Sequence, residues 1–573
     1  MSVPASKLPN NFEKPTKKIT LRKQNPDIAK EIAHSYKITE VAAKVLAARG
    51  FKLGKELEDF IDPSLQKGLP DPKELKGIYD AAKLLSSVVD TNKPVAICCD
   101  FDVDGLSGGA LLSKFLLDAN IPNKVFVPDR FNEGYGLNER IIKEVSQADF
   151  GLLICIDFGT TNSKELKLAK ELGLPTIVID HHHVDSIPDA TVFVNPKQKG
   201  CGFCGEILCA AGLVWYFTVA LRSVLEKASQ LKPRDYLDFA CLGTICDMVP
   251  LIGANRVIAK RGLEVLTNTR RAGLIALKNV VGVRKEVTCT HVGFGIGPRL
   301  NAAGRMINAE MVIDLLVTSD SRKAEKLSKK LDILNKQRQT VENDIKNICV
   351  QKVLSLNESP SGIVVYDQNF HTGVIGIVAQ RLVENFYRPS AVIGLDQDNY
   401  KGSVRGVSGF NVVGALSDLR EYLIKFGGHE GAGGFSLKPE MIDKFCIAFN
   451  EYCAEKLKSI SKNPLVSVDT DVTLKDLTVD LVNDLAKFAP YGMGNPAPVI
   501  GVPNVEVGQI QVLKGEHIKA NLSNSGITIS GFLWKNKEHP ALKTGAKVYI
   551  AGRPEINLYN GVTSLQMNLQ AVE

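Results

Sequence analysis

The sequence predicts an α/β protein: two α/β domains joined by a long helix, followed by a C-terminal small barrel or sandwich for which an OB-type barrel is one candidate. Three observations predict it. Short apolar runs alternate with helical stretches from about residue 76, a segment free of glycine and proline spans 321–354, and strands with turns recur from about 464. At 573 residues the chain exceeds one compact core, so several domains are expected. Residues 1–75 read as a leader packing on the first α/β domain, with an amphipathic helix around "ITEVAAKVLAARGF". Residues 76–318 form the first α/β domain, 319–358 the connecting helix, 359–460 the second α/β domain and 461–573 the barrel.

In the first domain "KPVAICCD" (93–100), "NKVFVPD" (123–129), "FGLLICID" (150–157) and "LPTIVID" (174–180) read as strands, each ending on an aspartate. Uniformly apolar strands separated by helices such as "GGALLSKFLLDA" and "NSKELKLAKELG" indicate a parallel, doubly wound sheet. Ligands gather at the carboxyl ends of such strands, where these aspartates sit. Along 321–354, Ala324, Leu327, Leu331, Leu334, Val341, Ile345 and Ile348 recur at alternating three- and four-residue steps, with Arg338 in the skipped position. That seam predicts one long helix bridging two domains, an ordinary core helix being the alternative. "SGIVVYDQ" opens the second α/β unit. "PVIGVPNVEVGQIQVL", "HIKANL", "GITISGFLW" and "KVYIAGRPEI" are spaced as strands of a small barrel or sandwich.

Composition excludes some classes. No apolar run approaches the ~20 residues that span a bilayer, and the polar, basic N-terminus lacks a secretory signal, so a cytoplasmic location is expected. A net charge of +7 permits a polyanionic partner without requiring one. Of twelve cysteines, Cys98, Cys99 and Cys155 lie in apolar runs and read as small hydrophobes. Cys201, Cys204 and Cys209 form the one cluster that could hold zinc; without a fourth ligand at the usual spacing they read as reduced thiols.

Four polar clusters carry the chemistry. "CDFDVDG" presents Asp100, Asp102 and Asp104 at alternate positions; Asp157 lies in "IDFGT"; Asp180, His181 and His182 end a strand; Asp247 follows an apolar run in "LGTICDMVP". Any one of these aspartates alone reads as a turn residue or helix cap. Five or six carboxylates brought together would repel strongly without cations. Mixed oxygen and imidazole ligation suits Mn²⁺, with Mg²⁺ or Zn²⁺ open. Two such ions would activate water and stabilise a phosphoryl transition state, which points to hydrolysis of a phosphate ester.

"DFDVDG", "IDFGT", "DHH" and "GTICDMVP", in this order, resemble the motifs of the DHH phosphoesterase superfamily, and within it the RecJ family of 5′→3′ single-stranded DNA exonucleases. "PDRFNEGYG", "VNPKQ", "GPRLNAAGRM", "FHTGVIGIVAQRLVENFYRPS", "KGSVRGVSGF", "FGGHEGAGGF" and "PYGMGNPAP" extend the likeness over roughly 95–500. The resemblance implies a DHH catalytic domain, a DHH-associated domain and an OB-like nucleic-acid-binding barrel. It implies two metal ions, Mn²⁺ or Mg²⁺, on Asp102, Asp104, Asp157, His181 and Asp247, with Asp100 a less certain ligand. Asp157 and Asp247 would bridge the ions, and Asp180 would orient the His181 ring. His182 would face the scissile phosphate, while His183 matches no family position and reads as a surface residue.

Arg130 has two readings, a loop ion pair or, by family likeness, a phosphate ligand. Tyr135 is either a base-stacking or a core residue. Arg299 and Arg305, among small residues that allow close backbone approach, are expected to bind substrate. Ser403, Arg405 and His429 would hold the 5′ phosphate from the second unit. Single-stranded DNA is the expected partner, with single-strand-binding protein and a RecQ-type helicase expected from the family; a monomer without membrane contact is expected. Two other readings stand beside this one. A DHH phosphodiesterase of short oligoribonucleotides or cyclic dinucleotides shares the metal motifs on shorter chains, and an inactive DHH scaffold would have lost ligands that are all present here.

Overall fold

The computed structural model describes residues 15–203, 207–461, 463–559 and 561–573. They fall into two compact units, one comprising residues 54–336 with 488–497, the other comprising the chain up to 53 with 337–487 and 498–573.

The first unit is built on five parallel strands in the order Asn123–Phe126, Val95–Cys99, Leu152–Ile156, Thr176–Ile179, Val192–Val194. The three central strands are buried along their whole length, as an apolar run covered on both faces must be. Side chains alternate between two cores. Ile97, Cys99, Ile154, Ile156 and Ile177 face the helices Val103–Asp118 and Ala210–Val224, while Ala96, Cys98, Leu153, Cys155 and Val178 face Glu139–Gln147 and Ser163–Glu171. Strand order reverses between Val95–Cys99 and Leu152–Ile156, so a topological switch point opens between their carboxyl ends. Asp100 follows one of these strands and Asp157 the other.

The long helix is observed as Ser321–Leu354, 34 residues. Ala324, Leu331 and Leu334 belong to the core of the first unit, and Ile345, Cys349 and Val353 to that of the second. Arg338, in the skipped position, is buried against Glu342 at 2.7 Å, and Glu342 also takes Arg381 at 3.1 Å. The expected seam ends one residue early: Ile348 is exposed and Cys349 is buried, a four-residue step from Ile345 replacing the three-residue one.

In the second unit a five-stranded mixed sheet runs in the order Lys425–His429, Ala432–Leu437, Asn399–Arg405, Ser390–Asp396, Ile363–Asp367, with only the last pair parallel. The barrel comprises Ile500–Leu513, His517–Asn524, Ile527–Leu533, Val562–Val572 and Lys547–Tyr559, and closes because the first and last of these also pair.

Two expectations about the domain boundaries are corrected. The leader divides: residues 54–75 join the catalytic unit, but Lys18–Leu21 pairs in parallel with Leu465–Val468 before the barrel. Arg49 reaches Asp469 at 2.9 Å, and Thr39 N–H donates to Asp484 at 2.7 Å, which ties the leader to the barrel side. Conversely, residues 488–497, inside the expected barrel range 461–573, lie in the catalytic unit. Leu251 N–H donates to Met493 O at 2.7 Å, and the buried Arg256 donates to the carbonyls of Phe488, Ala489 and Pro490. Of the cysteine cluster, Cys204 lies outside the described residues; Cys201 accepts from Lys76 N–H, while Cys209 caps the Ala210–Val224 helix. Neither joins a metal-ligating group among the described residues.

Candidate metal centre

The first aspartate turn follows the Val95–Cys99 strand. Asp100 is buried there, and Asp102 caps the helix Val103–Asp118, accepting from Asp104 N–H at 2.8 Å and Gly105 N–H at 3.3 Å. Asp104 is buried in that helix's first turn. Its two oxygens accept from Ala210 N–H at 2.7 Å and Ala211 N–H at 2.9 Å, so the start of the next helix holds the carboxylate in place. Gly243 makes room for it: a β-carbon there would lie 2.4 Å from Asp104 Oδ1 and 2.5 Å from Ala211 Cβ.

Asp157, at the end of Leu152–Ile156, has a left-handed backbone with φ of 68°, a conformation costly for a side-chain-bearing residue and concentrated at functional sites. Its Oδ1 lies 3.2 Å from His181 Nε2, which is also 3.8 Å from Asp104 Oδ2 and 3.8 Å from Asp247 Oδ2. Asp247 sits at the carboxyl end of the helix Leu237–Cys246. Three overlapping groups result, each with ligand atoms within 4.8 Å of one another: Asp100, Asp102 and Asp157; Asp104, His181 and Asp247; and Asp157, His181 and His182.

Burial, followed by the neighbouring carboxylates, raises Asp100 and Asp157 well above the usual carboxylate range and pushes Asp247 up to about 9. Burial also raises Asp104, against the pull of His181. Burial keeps His181 below its ordinary value, hence a neutral imidazole with a free lone pair. Asp100 Oδ1 is buried with no hydrogen-bond partner. An orphaned carboxylate oxygen among crowded acids and a neutral histidine fits a pair of divalent cations.

The histidine run is organised differently from the expectation. Asp180 does not orient the His181 ring; its Oδ1 lies 2.7 Å from His182 Nδ1 and also accepts from the N–H groups of His181 and His182. Thr160 donates its hydroxyl at 2.6 Å and its N–H at 3.1 Å to the other oxygen. Burial opposes ionisation of Asp180, but these bonds outweigh it and hold the carboxyl below its usual range. Burial likewise opposes His182, yet Asp180 leaves it raised. Asn195, fully buried, donates to Thr160 Oγ1 and His182 O. Thr160 and Asn195 were legible only as letters of "IDFGT" and "VNPKQ", since nothing in their spacing announces a shared network. His183 is exposed beside Asp185.

Arg130 is half-buried over the Phe101 ring, 5.2 Å from its centroid, and Asp100 and Asp102 partly offset the desolvation that lowers its pKa. Tyr135 donates to Asp157 O at 2.8 Å and stands edge-on to Phe101, Phe158 and His182, with half its surface exposed. Arg299 is engaged within the protein by Asp332 at 2.8 Å and by Gly295 O at 2.9 Å. Arg305 lies on the same helix, Gly297–Met306. Ser403, Arg405 and His429 belong to the other unit, where neighbouring strands bring them to one end of the mixed sheet. There Arg405 Nη1 donates to Ser403 Oγ at 2.9 Å.

Known families and solved structures match the chain along most of its length. The DHH family N-terminal domain matches residues 94–244, the DHHA1 domain 359–455 and the RecJ OB domain 468–571. The single-stranded-DNA-specific exonuclease RecJ of Bacillus subtilis is 33% identical over 96% of this chain and 70% of its own length. That of Haemophilus influenzae is 29% identical over 97% of this chain and 99% of its own. The crystal structure of Thermus thermophilus RecJ in complex with Mn²⁺ matches with a TM-score of 0.84 at 28% identity, covering 97% of this chain and 80% of that one. A second structure of the T. thermophilus protein, in complex with Mg²⁺, matches with a TM-score of 0.78 at 27% identity, covering 97% of this chain and 78% of that one. With DHH, DHHA1 and RecJ OB domains matched in order along a chain 33% identical to a RecJ exonuclease over most of both lengths, the chain belongs to the RecJ family.

Proposed function

We propose that this chain is a metal-dependent exonuclease that hydrolyses phosphodiester bonds of single-stranded DNA from the 5′ end to 5′-mononucleotides, serving DNA repair and recombination. The observation that carries the reading is the convergence of overlapping acidic groups on His181 and Asp157 at the switch point of the sheet. Two divalent ions, Mn²⁺ favoured over Mg²⁺, would be held by Asp102, Asp104, Asp157, His181 and Asp247 with Asp100 at the margin, and when bound they supply Lewis acidity and an activated water. Asp157 and Asp247 can span two ions, since a carboxylate offers two oxygens and an imidazole one lone pair. His182, its Nδ1 2.7 Å from Asp180 Oδ1 and its Nε2 3.5 Å from the Tyr135 hydroxyl, can give a hydrogen bond or proton to the phosphate. Arg130 offers a planar cation to the non-bridging oxygens. Tyr135 steadies the Asp157 turn and edges the site. Arg299 supports the neighbouring turn, with Arg305 on the same helix.

In the other unit, Ser403, Arg405 and His429 would take the 5′ phosphate, and the barrel would bind the strand beyond it. The protein would act as a cytoplasmic monomer alongside single-strand-binding protein and a RecQ-type helicase. The test is digestion of 5′- and 3′-labelled single strands and duplexes with Mn²⁺. Early release of the 5′ label as a mononucleotide, from single strands only, is expected. Release from the 3′ end first would overturn the polarity, and no metal-dependent release would overturn the activity.

A further inference from the structure

The most exposed large apolar side chain among the described residues is Phe294, with 84% of its surface in solvent. It sits in a one-turn π-helix, Val292–Ile296, between Gly293 and Gly295. Such turns are rare and concentrate at functional sites. The turn is pinned. Arg299 Nη1 holds Gly295 O at 2.9 Å, Asp332 holds Arg299, and Gly295 lies so close to Val281 that a β-carbon would come within 2.6 Å of it. The ring is therefore displayed by a braced segment.

The position of that segment gives the ring its partner. Three residues on, about one helical turn, a β-carbon on Gly297 would lie 2.5 Å from Cys246 Sγ, and Cys246 precedes Asp247. The helix that follows also touches the first aspartate turn: Asn301 Oδ1 accepts from Val103 N–H at 3.2 Å, and a β-carbon on Gly304 would lie 2.6 Å from Phe101 O. Met248, which follows Asp247 in the chain, has a left-handed backbone and 63% of its surface exposed. One exposed apolar side chain thus adjoins a carboxylate of the centre in sequence, and the other is carried on the segment that packs on Cys246.

Resting on the function proposed above, we infer that Phe294 is a platform on which an unpaired base of the bound strand stacks beside the scissile phosphate, with Met248 lining the same face. A phosphodiester at the metal centre brings a base with it, and the base is the apolar part of that substrate. An unpaired base offers a free π-face to an aromatic ring whatever its identity. A base inside a duplex has both faces covered by its neighbours, so the platform favours single strands without reading sequence.

The experiment uses the full chain with Mn²⁺ and oligonucleotides carrying one abasic site, moved one position at a time from the 5′ end. Wild type loses about tenfold in apparent affinity when the missing base is the one on the ring. Phe294→Ala raises KM for intact strands by a similar factor and no longer responds at that position, while Phe294→Trp restores the response. Identical abasic profiles for wild type and Phe294→Ala, or an unchanged KM, overturn the inference. Failure of wild type to cleave intact strands would overturn the proposed activity instead, so the two failures are distinct. If Phe294→Ala does not fold, the comparison of wild type with Phe294→Leu reads the same difference between aromatic and aliphatic contact.

Discussion

Asp180 Oδ1 and His182 Nδ1 lie 2.7 Å apart, while the His181 ring turns its Nε2 toward Asp157, Asp104 and Asp247. Adjacent histidines are thus assigned to different tasks by their partners. One is a mostly shielded imidazole whose pKa burial lowers, fit for a cation; the other is raised by its carboxylate partner.

Asp180→Asn separates those tasks. Activity at saturating Mn²⁺ should fall by about a hundredfold, while Mn²⁺ affinity measured by calorimetry should change much less. Asp180 raises the His182 pKa, so its loss lowers that pKa and moves the alkaline limb of the kcat profile to lower pH. Collapse of Mn²⁺ affinity with unchanged kcat would instead make Asp180 a support of the metal.

Gly243→Ala places a methyl group where Asp104 Oδ1 and Ala211 Cβ already stand. Because two amides pin Asp104, it cannot swing away freely. Reduced Mn²⁺ affinity, roughly 10–100-fold as for loss of a supporting contact, and a lower unfolding temperature are expected. Wild-type affinity in titration would show that Asp104 tolerates displacement.

Asp157→Ala should abolish detectable nuclease activity and weaken Mn²⁺ binding by more than the ~10–100-fold typical of supporting residues. Strand binding without metal, followed by fluorescence anisotropy, should persist, since removing a carboxylate lessens repulsion toward phosphate.

Metal-stripped protein should lose stability as pH rises. Asp247 titrates near 3.8 when unfolded but is pushed up to about 9 in the fold, and Asp100 and Asp157 are also raised. Folded protein therefore holds more protons across this interval. The contribution of these groups is complete below about pH 4 and is lost as pH climbs toward 9. Thermal unfolding in chelator should fall over that window, and added Mn²⁺ should restore more stability at pH 8 than at pH 5. A flat chelator profile would mean that the carboxylates are already compensated within the protein.

Much of the fold was legible because local pattern decided it. The apolar strands ending on Asp100, Asp157 and Asp180 and the glycine-free run over 321–354 each announce their element without reference to distant residues. What was not legible depended on remote partners. Pairing of Lys18–Leu21 with Leu465–Val468 joins segments more than four hundred residues apart, and no periodicity encodes it. The direction of the Asp180 side chain follows from Thr160 and Asn195 in other loops. Arg299 looked available among small residues, but its engagement by Asp332 comes from a separate helix.

The segment 488–497 bears on how this protein can be taken apart. Arg256 is a buried cation that pairs with no carboxylate among the described residues, stacked on the Phe60 ring at 3.9 Å and bonded to main-chain carbonyls. Among the described residues its acceptors on Phe488, Ala489 and Pro490 are encoded just ahead of the barrel strands, and Phe60 O comes from elsewhere. Truncation before residue 488 would leave a guanidinium stranded in the catalytic unit, a defect on the order of 3–5 kcal/mol for an uncompensated buried charge. Domain shuffling among relatives would therefore have to carry this short strap along with the nuclease half, although the barrel's sequence family begins ahead of it.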